Sequence, residues 1–149
     1  MHYAKTILAA TALVAATTVV AEQTPTERAI EYRKAAMTLV GSNFKPMGAM
    51  LKGEIPYDQA AFERHAADLA AVAGIDMLRG FPTDSDGQGS DAKPDIWLDW
   101  AKFEQGMETF TREATELAAV AAKGDRGAIK DQFGATAKTC KSCHDAFKE

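Results

Sequence analysis

The chain has 149 residues, 46% hydrophobic and 26% charged, with a formal net charge of −4. That length supports one domain with a real buried core, and no second domain is expected. The acidic balance, with no basic stripe interleaved with aromatics, argues against a nucleic-acid partner and for a soluble protein.

The N-terminus opens on Met1-His2-Tyr3-Ala4-Lys5, continues as an apolar run from Thr6 to Val20, and reaches Val19-Val20-Ala21 just before Glu22. A positive start, an apolar stretch and small residues at the end form a secretory signal peptide, so residues 1–21 are expected to be removed after Ala21. A membrane anchor is the competing reading. The run is shorter than the ~20 apolar residues a spanning helix needs, and its alanines and threonines make it only mildly hydrophobic. The expectation is therefore an exported, periplasmic protein of residues 22–149 with no membrane attachment after cleavage.

Four amphipathic segments follow. Thr24-Pro25-Thr26-Glu27 starts the first helix with a threonine cap, a proline at the first position and glutamate at N3. Ile30, Met37, Phe44 and Leu51 recur at heptad spacing, with Val40 and Met47 in a second seam, as in a bundle helix. Pro46 removes an N–H and crowds the Ser42 carbonyl, which predicts a kink between them. Gly53-Glu54-Ile55-Pro56 turns the chain into a second helix, about Tyr57 to Leu78. Its face of Phe62, Ala66, Leu69, Ala73 and Met77 is rich in alanine and allows close approach of a helix or a second subunit.

An acidic, glycine-rich loop from Arg79 to Lys93 is the longest break. The third helix is expected from Pro94-Asp95 to Lys123-Gly124, with Ile96, Phe103, Phe110 and Leu117 in one seam and Trp100, Met107, Ala114 and Ala121 in the other. Asp125 caps a fourth helix whose stripe is Ile129, Phe133, Thr136, Cys140, Cys143 and Phe147. Short first and third connections around a longer central loop predict an all-α fold, an antiparallel up-down-up-down four-helix bundle.

The only two cysteines lie in Cys140-Lys141-Ser142-Cys143-His144, the spacing of covalent haem c attachment. Two thiols must reach the vinyl groups on one porphyrin edge while an imidazole reaches the iron. On a helix turning about 100° per residue, the three side chains fall within roughly 100° of one another. A thioredoxin-type dithiol would need a preceding strand, and none is indicated. Structural zinc would need about four ligands, yet the other histidines are only His2 and His65. A disulfide is possible in an exported chain but leaves His144 unexplained. Export is also where haem is joined to cysteines, so the two ends of the chain support each other.

Glu31-Tyr32-Arg33-Lys34 with Met37, Pro56-Tyr57-Asp58, Ala92-Lys93-Pro94-Asp95-Ile96-Trp97 and the run Cys140 to His144 span the mature chain. In these segments the chain resembles the cytochromes c′ and their low-spin relatives, the cytochromes c556. The resemblance implies a four-helix bundle with one haem c, thioether links at Cys140 and Cys143, and iron ligation at His144. It implies a commonly five-coordinate iron whose apolar far side admits nitric oxide and carbon monoxide. Met37 matches the position over the iron, and Met77, Phe81 and Phe133 are expected as pocket walls. A homodimer through the first two helices is implied as well. One departure is Lys148, where related chains often carry arginine beside the proximal histidine. Lysine keeps the charge and loses the planar fork.

Several residues have more than one reading. Arg33 shares the inner seam with Val40 and Met47, so it either meets a haem propionate, snorkels outward, or pairs with a nearby carboxylate. Lys34 and Lys93 could reach propionates or simply be solvated. Met37 is either a lid beside a vacant site, which suits a gas-binding protein that also transfers single electrons, or the sixth ligand of a low-spin electron carrier of cytochrome c556 type. Ordinary core packing is its structural alternative. His65 is either a sixth ligand or, the better reading, a solvent-edge histidine. Lys130, Lys138, Lys141 and Lys148 either steer an acidic redox partner, itself unidentified, or form a solvated face. With no distal acid–base residue on the stripe facing the haem, an enzyme is not expected.

Overall fold

The computed structural model describes residues 22–149 except Gln88, so the expected signal segment lies outside the described residues. Five helices follow one another: α1 (Pro25–Lys52), α2 (Gln59–Ala73), α3 (Asp95–Leu98), α4 (Trp100–Ala121) and α5 (Arg126–Phe147), with a 3-10 turn at Leu78–Gly80. Among the described residues there is no strand, only an isolated bridge between Ala92 and Lys148. The four long helices α1, α2, α4 and α5 form the four-helix bundle that the periodicity predicts, with α2 packed between α1 and α4, and α4 against α5. No helix among the described residues is long and apolar enough to cross a membrane.

The start of α1 is the capping box that its sequence encodes. The Glu27 N–H donates to Thr24 Oγ1 (3.1 Å), and the Thr24 N–H donates to Glu27 Oε2 (2.7 Å), which satisfies two donors that a helix start leaves open. The helix runs on through Pro46, with Ser42 and Asn43 side chains both donating to the Leu39 carbonyl. It ends at Gly53, whose φ of 75° is the left-handed conformation that favours glycine.

Two boundaries differ from the sequence expectation. Helix α2 starts at Gln59, because Asp58 Oδ1 accepts the Ala61 N–H as an N-cap, and it stops at Ala73 rather than Leu78. Gly74 follows, and Thr111 Oγ1 donates to the Ala73 carbonyl, so one of the last carbonyls is satisfied from α4 instead of by continued helix. The third segment is divided at Asp99, which adopts φ −129° and ψ 57°. The short α3 then turns Ile96 inward and leaves Leu98 exposed, while the heptad seams resume in α4.

Phe62, Met47, Ala66, Leu69, Ala114, Leu117 and Ile129 are fully buried and centre the core. Between α1 and α5 the contact is narrower. Phe44 and Phe133 stack with centroids 4.2 Å apart and planes 9° from parallel, and the Phe133 ring tip also lies over Gly48. A β-carbon at Gly48 would come within 3.3 Å of that ring, so this helix crossing needs the missing side chain. Gly48→Val should therefore destabilise the protein by about 1–3 kcal/mol in urea unfolding, despite valine's better helix propensity. An unchanged midpoint would show that the contact has slack.

Candidate functional site

Asp125 caps α5 by accepting the Gly127 and Ala128 N–H groups at 2.8 and 3.1 Å, and the helix then carries Cys140, Cys143 and His144 in its last turns. Cys143 and His144 line a cavity of about 310 Å³. Ile96, Phe103 and Phe147 give it apolar walls from α3, α4 and α5, and Phe81 adds one from the segment after the 3-10 turn. Facing them from α1 are Arg33, Lys34 and Met37, the last about one-third exposed. A second cavity of about 450 Å³, between α4 and α5, shares Cys143 and Phe147 with the first. Open space therefore flanks the cysteine-bearing turn on two sides.

The chemistry of these side chains separates the readings of the motif. Both cysteines are free and half-buried, so they do not form a disulfide. Burial pushes both thiols above their ordinary pKa, and for Cys143 the neighbouring Cys140 adds to this. A redox dithiol would instead have a lowered pKa. Among the described residues no group of three or more His, Cys, Asp or Glu side chains could hold a metal ion. The site then presents a pair of thiols one helical turn apart, an adjacent exposed imidazole, aromatic walls and a basic rim. That set fits a flat, apolar, anionic-edged macrocycle bound by covalent links.

Arg33 is buried at 5% exposure, so it does not snorkel, and its hydrogen bonds go to uncharged groups rather than to a carboxylate. One guanidinium nitrogen donates to the Gly80 carbonyl (2.9 Å) and to Ser85 Oγ (2.8 Å). The other donates to the Ser85 carbonyl (2.5 Å) and to Ser90 Oγ. The guanidinium also lies 4.9 Å from the centroid of the Phe81 ring. Burial lowers its pKa, and the nearby Asp86 charge opposes that. Lys34 Nζ donates to the Gly89 carbonyl at 3.1 Å.

The same loop is tied to the end of α5. Lys148 Nζ pairs with Asp91 Oδ2 at 2.9 Å, the Glu149 N–H donates to the Asp91 carbonyl, and the Lys93 N–H donates to the Phe147 carbonyl. The Lys148 hydrogen bond and charge hold the Asp91 carboxyl below its usual pKa. Gly89, Ser90, Asp91 and Ala92 thus form a cavity wall that bridges α1 and the end of α5.

Two expected walls lie elsewhere. Met77 is buried in the core and Phe133 stacks on Phe44, and neither lines the cavity. Both belong to apolar stripes, and a stripe does not say which of its rungs faces a void. For the same reason Ile96, Phe103 and Phe147 were legible as apolar positions but not as cavity walls. Ser85 and Ser90 carry no signal in the sequence. His65 bonds Asn43 across α1 and α2, at 3.1 Å, and does not line the cavity.

A family model described as cytochrome C′ matches residues 28–148. Cytochrome c′ of Halomonas halodenitrificans is 42% identical over 128 residues, covering 82% of this chain and 96% of that protein. Cytochrome c′ of Alcaligenes xylosoxydans is 34% identical over 123 residues, covering 83% and 94%. Among solved structures, cytochrome c prime from Shewanella frigidimarina superposes with a TM-score of 0.81 at 42% identity, over 87% of this chain and 99% of that one. A nitric oxide complex of a mutant cytochrome c prime from Alcaligenes xylosoxidans superposes with a TM-score of 0.76 at 34% identity, over 86% and 98%. With the fold, the paired thiols and the family match in agreement, this chain belongs to the cytochrome c′ family, whose cofactor is covalently bound haem c.

Proposed function

We propose that Cys140 and Cys143 form the thioether links to the haem, that His144 is the proximal iron ligand, and that Met37 overlies a vacant distal position open to nitric oxide and carbon monoxide. The bound haem iron supplies one-electron redox chemistry and a coordination position for a diatomic ligand. The observation that carries this reading is the location of Met37. It lines, from α1, the same cavity that Cys143 and His144 line from α5, in the company of Phe81, Ile96, Phe103 and Phe147. The apolar part of this lining disfavours water while admitting small uncharged ligands.

The role is binding and electron transfer, with Asp91 paired to Lys148 and Arg33 bonded to the loop at the cavity rim. On the exterior, Leu39 is 50% exposed on α1, and α2 exposes Ala60, Ala67 and Ala71. These small and apolar groups support homodimerisation through α1 and α2. Export to the periplasm with loss of residues 1–21, single-electron exchange and a redox protein partner complete the proposal.

Mass spectrometry of protein purified from an exporting host tests attachment, processing and assembly together. Under denaturing conditions the expected mass is residues 22–149 plus one haem, and under native conditions it is twice that. A denatured chain without haem would refute the thioether assignment. Optical spectra test the iron. High-spin ferric and ferrous spectra that shift on addition of nitric oxide are expected for the native protein and for Met37→Ala. Sharp low-spin bands, insensitive to the gas and lost in Met37→Ala, would instead assign the sixth ligand to Met37 and make the protein a cytochrome c556-type electron carrier.

A further inference from the structure

Arg33 is buried, charged and bonded to loop groups that no charge-pairing rule would have selected. Its four hydrogen bonds gather three points of the chain, Gly80, Ser85 and Ser90, around one guanidinium, whose Cζ lies 4.9 Å from the Phe81 ring centroid. Phe81 and Ser90 are themselves cavity walls. The planar fork suits this task because its donors diverge in fixed directions, which an ammonium on a flexible stem does not reproduce.

The loop can come this close only because of a missing side chain. A β-carbon built at Gly80 would lie 2.9 Å from Arg33 Cβ and 3.0 Å from Tyr32 Cδ1. Arg33 Cβ is fixed by the helix backbone, so it cannot swing aside. Neighbouring bonds hold the same approach: Tyr32 Oη donates to the Asp76 carbonyl at 2.8 Å, and the Arg79 guanidinium lies 4.1 Å from the Tyr32 ring centroid. On the far side Trp97 Nε1 donates to the Phe81 carbonyl at 3.1 Å, and the Phe81 ring meets Phe103 edge-on at 4.8 Å.

We propose that Arg33 is a positioning residue for the distal pocket, clamping the loop after Gly80 onto α1 so that Phe81 and the Ser90 segment are held as its walls, with Gly80 as the close contact that makes the clamp possible. The gas-binding consequence rests on the haem reading above, whereas the clamp itself does not. In this role Arg33 acts on ligand access through Phe81 and the loop.

The test compares Arg33→Gln, Arg33→Lys, Gly80→Ala and the milder Ser90→Ala in the holoprotein. Amide hydrogen exchange at Ser85, Asp86 and Ser90, and the association rate of carbon monoxide with the ferrous protein, are read for each. Loss of charge-assisted bonds should speed exchange at these amides by about tenfold in Arg33→Gln and in Gly80→Ala, with a smaller change in Ser90→Ala. Carbon monoxide association should change in the same direction in all three, and Arg33→Lys should not restore the native values. Arg33→Gln and Gly80→Ala combined should do no more than the larger single change, because both release one contact. Native exchange and gas rates in Gly80→Ala and Ser90→Ala, or full rescue by lysine, would overturn the clamp. Should Arg33→Gln fail to accumulate, Ser90→Ala, which keeps every charge and the backbone, decides alone. If exchange quickens as stated while no variant binds carbon monoxide, the clamp stands and the gas-binding proposal fails.

Discussion

A single aromatic stack joins α1 to α5 at one end of the bundle, and the room for a cofactor lies at the other. Beside Gly48 the Phe44 and Phe133 rings stack across α1 and α5, a geometry worth about 0.5–1.5 kcal/mol beyond simple burial. Further along the antiparallel pair, no comparable side chain fills the space, and the cavity opens there between Met37 and the Cys143–His144 turn. A bundle packed evenly along its whole length would have no room for a large planar cofactor. The pinned end lets the core elsewhere remain dense while the other end stays open.

That open end requires other means of support, and they come from the loop between α2 and α3. It reaches α1 through Arg33 and Lys34, and α5 through the Asp91–Lys148 pair and the Ala92–Lys148 bridge. The two anchors differ in character. The Arg33 end is buried and bonded to neutral acceptors, so salt screens it little. The Lys148 end is an exposed ion pair, which contributes little to stability and weakens as salt rises. The wall is therefore firm on the α1 side and more easily loosened beside His144. A lysine rather than an arginine at 148 is compatible with this arrangement, because its single contact with Asp91 needs no planar fork.

The bundle was legible in the sequence because burial imposes a period, and the seams of α1, α4 and α5 display it over many turns. The end of α2 was not, since Leu78 continues the apolar pattern while Gly74 and the Thr111 hydroxyl stop the helix three-dimensionally. The break at Asp99 was hidden in the same way, by seams that resume on its far side. At the site, the Cys140–His144 spacing points directly to a cofactor, and Met37 lines the cavity that Cys143 and His144 also line. The loop contacts of Arg33 could not be read, because a serine hydroxyl and a backbone carbonyl leave no charge pattern to detect. Phe133 and Met77 show the converse, since membership of an apolar stripe says that a residue is buried but not what it is buried against.

Met37 is proposed to stand over the iron without binding it. Iron-edge X-ray absorption on the ferric holoprotein addresses this most directly. The account predicts one axial imidazole and no sulfur neighbour, with a spectrum unchanged in Met37→Leu. A sulfur scatterer at bonding distance that disappears in Met37→Leu would contradict it.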